Sequence, residues 1–426
     1  MNRTLLSILL LIACAGQLAA AVIQVGPSRT YKVPSAALAV ASNGDTIEID
    51  AGTYLGDVAY VDQDNLTIRG VGGHVVINAN GNNKGGKGTW VVRGDNLTVE
   101  YIDFRGATVP DDNGAGIRLE GRDLTVRHCR FVDNQNGILA GVISGCDILI
   151  EDSEFDNNGA GDGYSHNLYI GKVDSLVMRR CWSHRSQVGH LVKSRALRTE
   201  LWYCRLTSED GNSSYEVDIP NGGLSILVGN LIQQASSNNN SNIVSYAAEG
   251  ASNPTQALYM SHNTIVNDRW AGTFIKGIPS TNTIVNNLFI GPGTAVSGNG
   301  NVHITSSDGG VVDRMGHDYR LAPGSAAIDA GISVGSGGGV NLNPTQQYLH
   351  PTQGETRPTN GTPDAGAYEF GSLSPPPTRT IRVTNLSGWT WTCSSGVDAS
   401  TNDFSIYQEL DVSADHLLSP TPSSSL

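Results

Sequence analysis

The sequence predicts an all-β fold, a solenoid of stacked parallel strands with a short capping helix near its N-terminus. Three observations predict it. Gly stands at 51 of 426 residues and aromatics at 6%, a balance that suits many turns joining short strands and excludes a helical bundle. A strand–bend–strand unit recurs along most of the chain with a period on the order of 25 residues, within the range of solenoid repeats. Small and turn-forming residues fill one column at the bend.

Taken in order, the chain opens with Arg3 ahead of an apolar run over 5–13, and Ala19-Ala20-Ala21 offers a cleavage site. That pattern predicts a signal peptide over 1–21 and an exported protein, secreted, periplasmic or at the cell surface. The run is too short to span a bilayer, and no later segment is a transmembrane candidate. Leu11-Ile12-Ala13-Cys14 also has the form of a lipoprotein box, with ordinary secretion favoured. Pro34-Ser35 starts an Ala-rich stretch to residue 41, read as the capping helix.

The repeats then align as NLTIRGVGG from Asn65, NLTVEYIDF from Asn96, DLTVRHCRF from Asp123, DILIEDSEF from Asp147, SLVMRRCWS from Ser175 and TELWYCRLT from Thr199. LSILVGNLI from Leu224, ALYMSHNTI from Ala257 and NTIVNNLFI from Asn282 continue them. Ile102, Cys129, Ser153, Cys181, Cys204, Asn230, Asn263 and Asn287 share the bend column. Cys129, Cys181 and Cys204 are therefore expected as a buried, reduced ladder, and the Asn amides as bonds from coil to coil. No cysteine spacing forms a zinc pattern.

The solenoid is expected over 22–300, followed by a Gly-rich segment over 301–371 that seals its open end. A Pro-rich linker follows over 372–378, then a tail over 379–426 that is partly disordered. A net charge of −13 and a pI near 5.1 exclude nucleic acid as the main partner. Positive charge nevertheless concentrates in Lys172, Arg179, Arg180, Arg185, Lys193, Arg195, Arg198 and Arg205, which reads as a patch for an anionic ligand.

Chemistry is expected between residues 162 and 223, where His166, Asn167, Tyr169, His184, His190, Lys193, Arg195, Glu216 and Asp218 gather. Residues of one parity share a strand face. With Val217 and Ile219 inward, Glu216 and Asp218 face out together, as ligands of a Ca²⁺ ion, as a general acid/base pair or as a solvated acidic rung. Lys193 and Arg195 are placed outward because unpaired cations are costly inside an aliphatic cylinder. Leu168 and Ile170 inward would turn Asn167 and Tyr169 outward, with Asp162 and His166 at the rim.

The repeat pattern resembles the right-handed parallel β-helix of the pectate-lyase-like superfamily over roughly residues 31–300, and the motifs over 318–331 and 357–369 resemble a closing segment common after bacterial β-helices. The site resembles that of Ca²⁺-dependent alginate or chondroitin lyases, which place an acid-x-acid pair, a Lys and an Arg on one sheet. The resemblance implies Glu216, Asp218 and Asn167 as Ca²⁺ ligands, Lys193 as base, and Arg195 assisting, with His166, Tyr169 and His190 as further catalytic candidates. Here Lys193 and Arg195 precede the acidic pair, whereas the family places them after it. The DPHD motif of alginate epimerases and the full Asp-Asp and GHG set of polygalacturonases are absent. The function expected is β-elimination on an acidic, uronate-containing polysaccharide. A glycan-binding β-helix and a glycoside hydrolase using Glu216, Asp218 and Asp162 are the alternatives.

Overall fold

Alternation within each repeat decides which side chains enter the core. In Leu124–Arg127, Leu124 and Val126 are buried while Thr125 and Arg127 face outward. His128 then adopts a left-handed backbone (φ 52°), and Arg130–Val132 continues at an angle. The same left-handed bend recurs at Tyr101, Asp152, Arg180, Tyr203, His262 and Asn286. These residues directly precede the bend column, so the strained position is the one before the Asn or Cys. The protein, seen in a computed structural model, is described over residues 20–371, with two short antiparallel pairings beyond. Nearly all of the expected signal segment, including Cys14, lies outside the described residues, as do the linker and most of the tail.

Stacking these units produces two long parallel ladders. One is a nine-stranded sheet running from Ala59–Val61 to Thr273–Lys276. The other is a 20-stranded sheet that folds around the bend corner. Between them lies one aliphatic core, in which Phe104, Phe131 and Phe155 stack at 5.2 and 4.9 Å. Each fully buried ring contributes on the order of 2–3 kcal/mol, so the core tolerates only residues that preserve the inward parity.

The bend column behaves as expected. Asn263 Oδ1 accepts the backbone N–H of Asn230 at 3.0 Å, and Asn287 Oδ1 accepts that of Asn263 at 3.0 Å. Cys129, Cys181 and Cys204 are free and buried, and burial raises the Cys129 thiol to about 12. A second Asn ladder, not anticipated, holds another corner: Asn158 Oδ1 accepts from Asn134 N, and Asn167 Oδ1 from Asn158 N, both at 3.0 Å.

The capping helix is Pro34–Leu38, with Pro34, Ala37 and Leu38 buried. At the other end, Val302–Ile304 still pairs with Leu288–Ile290, so the ladder outlasts residue 300. The segment after it is the one expected to seal the open end. It packs on the outside of the strands around Leu231, Val266 and Leu288, then travels back along the flank. Gly338 O accepts from Arg198, Thr345 N donates to Tyr203 Oη, and His350 meets Trp182 edge-on. Among the described residues, no helix is long and apolar enough to cross a membrane.

Candidate active site

On the outer face of the nine-stranded sheet, register aligns Leu139, Tyr169, Lys193, Asp218, Ser245 and Lys276 in one row across successive coils. Parallel neighbours in such a row are about 4.8 Å apart. Tyr169, Lys193 and Asp218 thus stand side by side, as strand parity predicts. Lys193 Nζ lies 3.6 Å from Asp218 Oδ2 and 3.6 Å from Glu249 Oε1. Arg195, just past its strand, donates to Tyr169 Oη at 3.1 Å, to Asn221 Oδ1 at 2.6 Å and to Glu249 Oε2 at 2.7 Å. Burial opposes the charge of Arg195, but Glu249 and Tyr169 more than offset this and raise its pKa.

Asp218 is the strained member of the row. It is 2% exposed, and its Oδ1 has no hydrogen-bond partner. Burial raises its pKa to about 6, against the opposing pull of Lys193. The neighbouring Ser245 Oγ is likewise buried and unpartnered. Two orphaned polar atoms on adjacent rungs mark a place where a polar ligand group or water would be satisfied.

His166 and His190 lie at the strand entrances, in register with one another. Asn136 Oδ1 accepts the backbone N–H of His166, His166 Nδ1 that of His190, and His190 Nδ1 that of Tyr215, at 2.9, 3.0 and 3.1 Å. Each imidazole therefore spends Nδ1 as an acceptor and carries its proton on Nε2. Burial, with Lys193 and Arg195 nearby, lowers His166 to about 3, and burial with His166 lowers His190 well below its ordinary value. His190 Nε2 lies 3.5 Å from Asp218 Oδ2.

Two expected ligands stand elsewhere. Asn167 is fully buried, its amide donating to Phe155 O, Ser183 Oγ and His184 O while its oxygen serves the second Asn ladder. It faces the corner, and the expected outward placement beside Tyr169 is corrected. Glu216 is also fully buried, accepting from Ser208 Oγ at 2.8 Å and Asn238 Nδ2 at 2.6 Å. Burial raises its pKa well above the usual carboxylate range. Neither residue precedes its strand as part of the pleat, since both belong to the corner that leads in, so parity does not govern them. The calcium set of Glu216, Asp218 and Asn167 is therefore not assembled. Asp162 is taken up by its own loop, accepting from Ser165 Oγ at 2.7 Å.

The basic patch also divides. Arg179, Arg180, Arg185, Arg198 and Arg205 lie on the 20-stranded sheet or its corners, paired with Glu151, Asp152, Asp156, Glu200 and Glu209. Of the eight cations, Lys193 and Arg195 are those beside Tyr169. Tyr215, Asn221 and Glu249 were missed by sequence reasoning because they sit in loops without repeat register. A second cluster was missed as well: Glu154, Asp156 and His184 converge on the outer face of the other ladder.

No protein-family model and no curated protein matches this chain. Among solved structures, the pectate lyase Pel9A matches with a TM-score of 0.54 at 13% identity, over 83% of this chain and 98% of that one. The likeness is one of fold, a parallel β-helix. An alginate lyase of family PL6, AlyGC, aligns with a TM-score of 0.30 at 15% identity, over 83% of this chain and 57% of that one. At 13% identity the likeness to Pel9A is one of architecture, and the chemistry of this β-helix has to be argued from its own side chains.

Proposed function

We propose that this protein is an exported β-helix enzyme that cleaves an acidic, uronate-containing polysaccharide by β-elimination in the groove over Tyr169, Lys193 and Asp218. One observation carries the reading: the Lys193 amine and the Arg195 guanidinium flank a tyrosine whose hydroxyl accepts a hydrogen bond from Arg195. The structural likeness to a pectate lyase agrees with it at the level of fold.

In this mechanism Arg195 pairs with the uronate carboxylate, so that charge accumulating there on proton removal is met by a fixed cation. The amine of Lys193 is placed to take the proton on the carbon next to that carboxylate. The electrons form a carbon–carbon double bond, the glycosidic oxygen leaves, and Tyr169 supplies its proton. One proton is removed and one delivered, so no co-reactant is needed. His166 and His190 contribute fixed Nε2–H donors. Calcium supports such reactions in oxygen-rich sites, but the residues here do not fit it, because the oxygens of Asn167 and Glu216 are already engaged. No step is routed through it.

The test is incubation with alginate, pectate and glycosaminoglycans while following ultraviolet absorbance from the unsaturated product. Rising absorbance that Lys193→Ala abolishes, with folding intact, supports the reading. Reducing ends without absorbance, or retention on a glycan column without cleavage, would replace it with a hydrolase or a binding protein.

A further inference from the structure

Each nitrogen of the Arg195 guanidinium meets a different partner. Nε donates to Tyr169 Oη at 3.1 Å, Nη1 to Asn221 Oδ1 at 2.6 Å and Nη2 to Glu249 Oε2 at 2.7 Å. Two of these partners are neutral, and the third is a carboxylate. The other oxygen of that carboxylate, Glu249 Oε1, stands 3.6 Å from Lys193 Nζ. Glu249 thus bridges the two basic groups that the proposed reaction brings to its substrate. Burial pulls its carboxyl up, but Arg195 and Lys193 more than offset this and hold it below the usual carboxylate range.

Exposure sets this side chain apart from those around it. Glu249 is 49% exposed, against 13% for Lys193, 21% for Arg195 and 3% for Asp218. The backbone beneath it is fixed. Glu249 N–H donates to Pro220 O at 2.9 Å, and further along the loop Asn253 Nδ2 donates to Ala196 O at 3.1 Å and to Gly222 O at 2.8 Å. Release of Arg195 therefore needs only a turn of the Glu249 side chain into solvent. An ion pair with one partner half in water is worth little, so a competing carboxylate can replace it. Arg195 keeps its orientation when Glu249 leaves, because Tyr169 and Asn221 still hold Nε and Nη1.

We propose that Glu249 is a built-in stand-in for a substrate carboxylate: it fills the place between Lys193 and Arg195 in the free protein and yields it to the carboxylate of an incoming acidic sugar. On the lyase reading of this site, which this presupposes, the uronate carboxylate then sits against Arg195 Nη2 and within reach of Lys193. The charge-assisted bond that Glu249 gives up is remade to the substrate. Until then Glu249 keeps both basic groups in the arrangement a substrate acid needs, so little ordering is left for binding. A neutral sugar has no charge with which to displace it, so Glu249 also selects against neutral chains. Asp218, 3.6 Å from Lys193 on the buried side, has no solvent to turn into and cannot take this role.

The experiment uses the full chain, titrated by calorimetry with galacturonate as probe and galactose as its neutral control. Glu249→Gln should bind galacturonate about fivefold more tightly than the parent, or better, and leave galactose unchanged. Glu249→Asp keeps the charge but is too short to bridge, and should still tighten binding about twofold or more. Glu48→Gln, which removes a carboxylate paired with Arg69 on the other sheet, should match the parent. Circular dichroism checks that each variant folds. On any polymer the parent cleaves, Glu249→Gln should lower KM by a similar factor and leave kcat unchanged. Galacturonate affinity that is unchanged or weaker in Glu249→Gln overturns the proposal, as does the absence of galacturonate binding in parent and variants alike. Parent-like affinity in Glu249→Asp also overturns it, by reducing the effect to net charge. Tighter galacturonate binding in both variants, with no unsaturated product from any polymer, upholds the stand-in and removes the lyase reading. Turnover by the parent with KM unchanged in Glu249→Gln removes the stand-in alone.

Discussion

The imidazoles of His166 and His190 stack with their centroids 4.5 Å apart and planes 10° apart, and the backbone N–H of His190 donates to Nδ1 of His166. Side chain and backbone thus form a third vertical ladder beside the two of asparagine. Its consequence is chemical: neither ring can act as a base through Nδ1, and each offers only Nε2–H to the groove. ¹⁵N NMR should report both as neutral Nε2–H tautomers at pH 7. A charged or Nδ1–H ring would refute the assignment.

The same ladder predicts a pH dependence. His166 is held down to about 3 by burial and by Lys193 and Arg195, below its unfolded value of about 6.5. The stability it contributes is complete above about pH 6.5 and is lost as pH falls towards 3. Asn136 does the same job one coil earlier with an amide oxygen. His166→Asn should therefore keep stability at pH 7 while flattening its fall in acid, as read by denaturant unfolding at several pH values.

Asp218 has the opposite sign. Burial raises it to about 6 from an unfolded value near 3.9, so its contribution is complete below about pH 3.9 and lost as pH rises through 6. Asp218→Asn should stabilise the protein at pH 7.5 by about 1–3 kcal/mol. It should also remove an apparent pKa near 6 from the pH profile of turnover. A variant that is less stable at pH 7.5 would contradict the orphaned-carboxylate reading.

Tyr169→Phe deletes the hydroxyl that accepts from Arg195. Turnover should fall by roughly 10²–10⁴-fold, the usual worth of a positioned acid, with little change in substrate affinity. An equal loss in both would make Tyr169 a binding group only.

Asn263 bridges three coils: its Oδ1 accepts from Asn230, and its Nδ2 donates to Leu227 O and Asn287 Oδ1, both at 2.9 Å. Asn263→Ala strands these buried groups and should cost about 3 kcal/mol or more, measured by chemical unfolding. A loss below about 1 kcal/mol would mean that water replaces the ladder.

By itself the sequence determined everything that depends on a repeating step. The column through Cys129, Cys204, Asn230 and Asn263 was readable because each coil returns the chain to one corner, where only small, buried or amide-bearing groups fit. Parity likewise put Tyr169, Lys193 and Asp218 in one outward row, since within a strand the pleat leaves no choice. Tertiary structure alone decided what happens where the pleat ends. Glu216 sits one residue ahead of Val217–Ile219 and Asn167 one ahead of Leu168–Ile170. Both turn into corners closed by distant partners, Asn238 and Ser208 for one, Asn158 and Ser183 for the other. The cluster around His184 is decided the same way, by which loops and which returning segment cover an otherwise ordinary outward face. Local alternation fixes direction along a strand, but the burial of a polar group, and with it its charge and its chemistry, depends on what the rest of the chain lays over it.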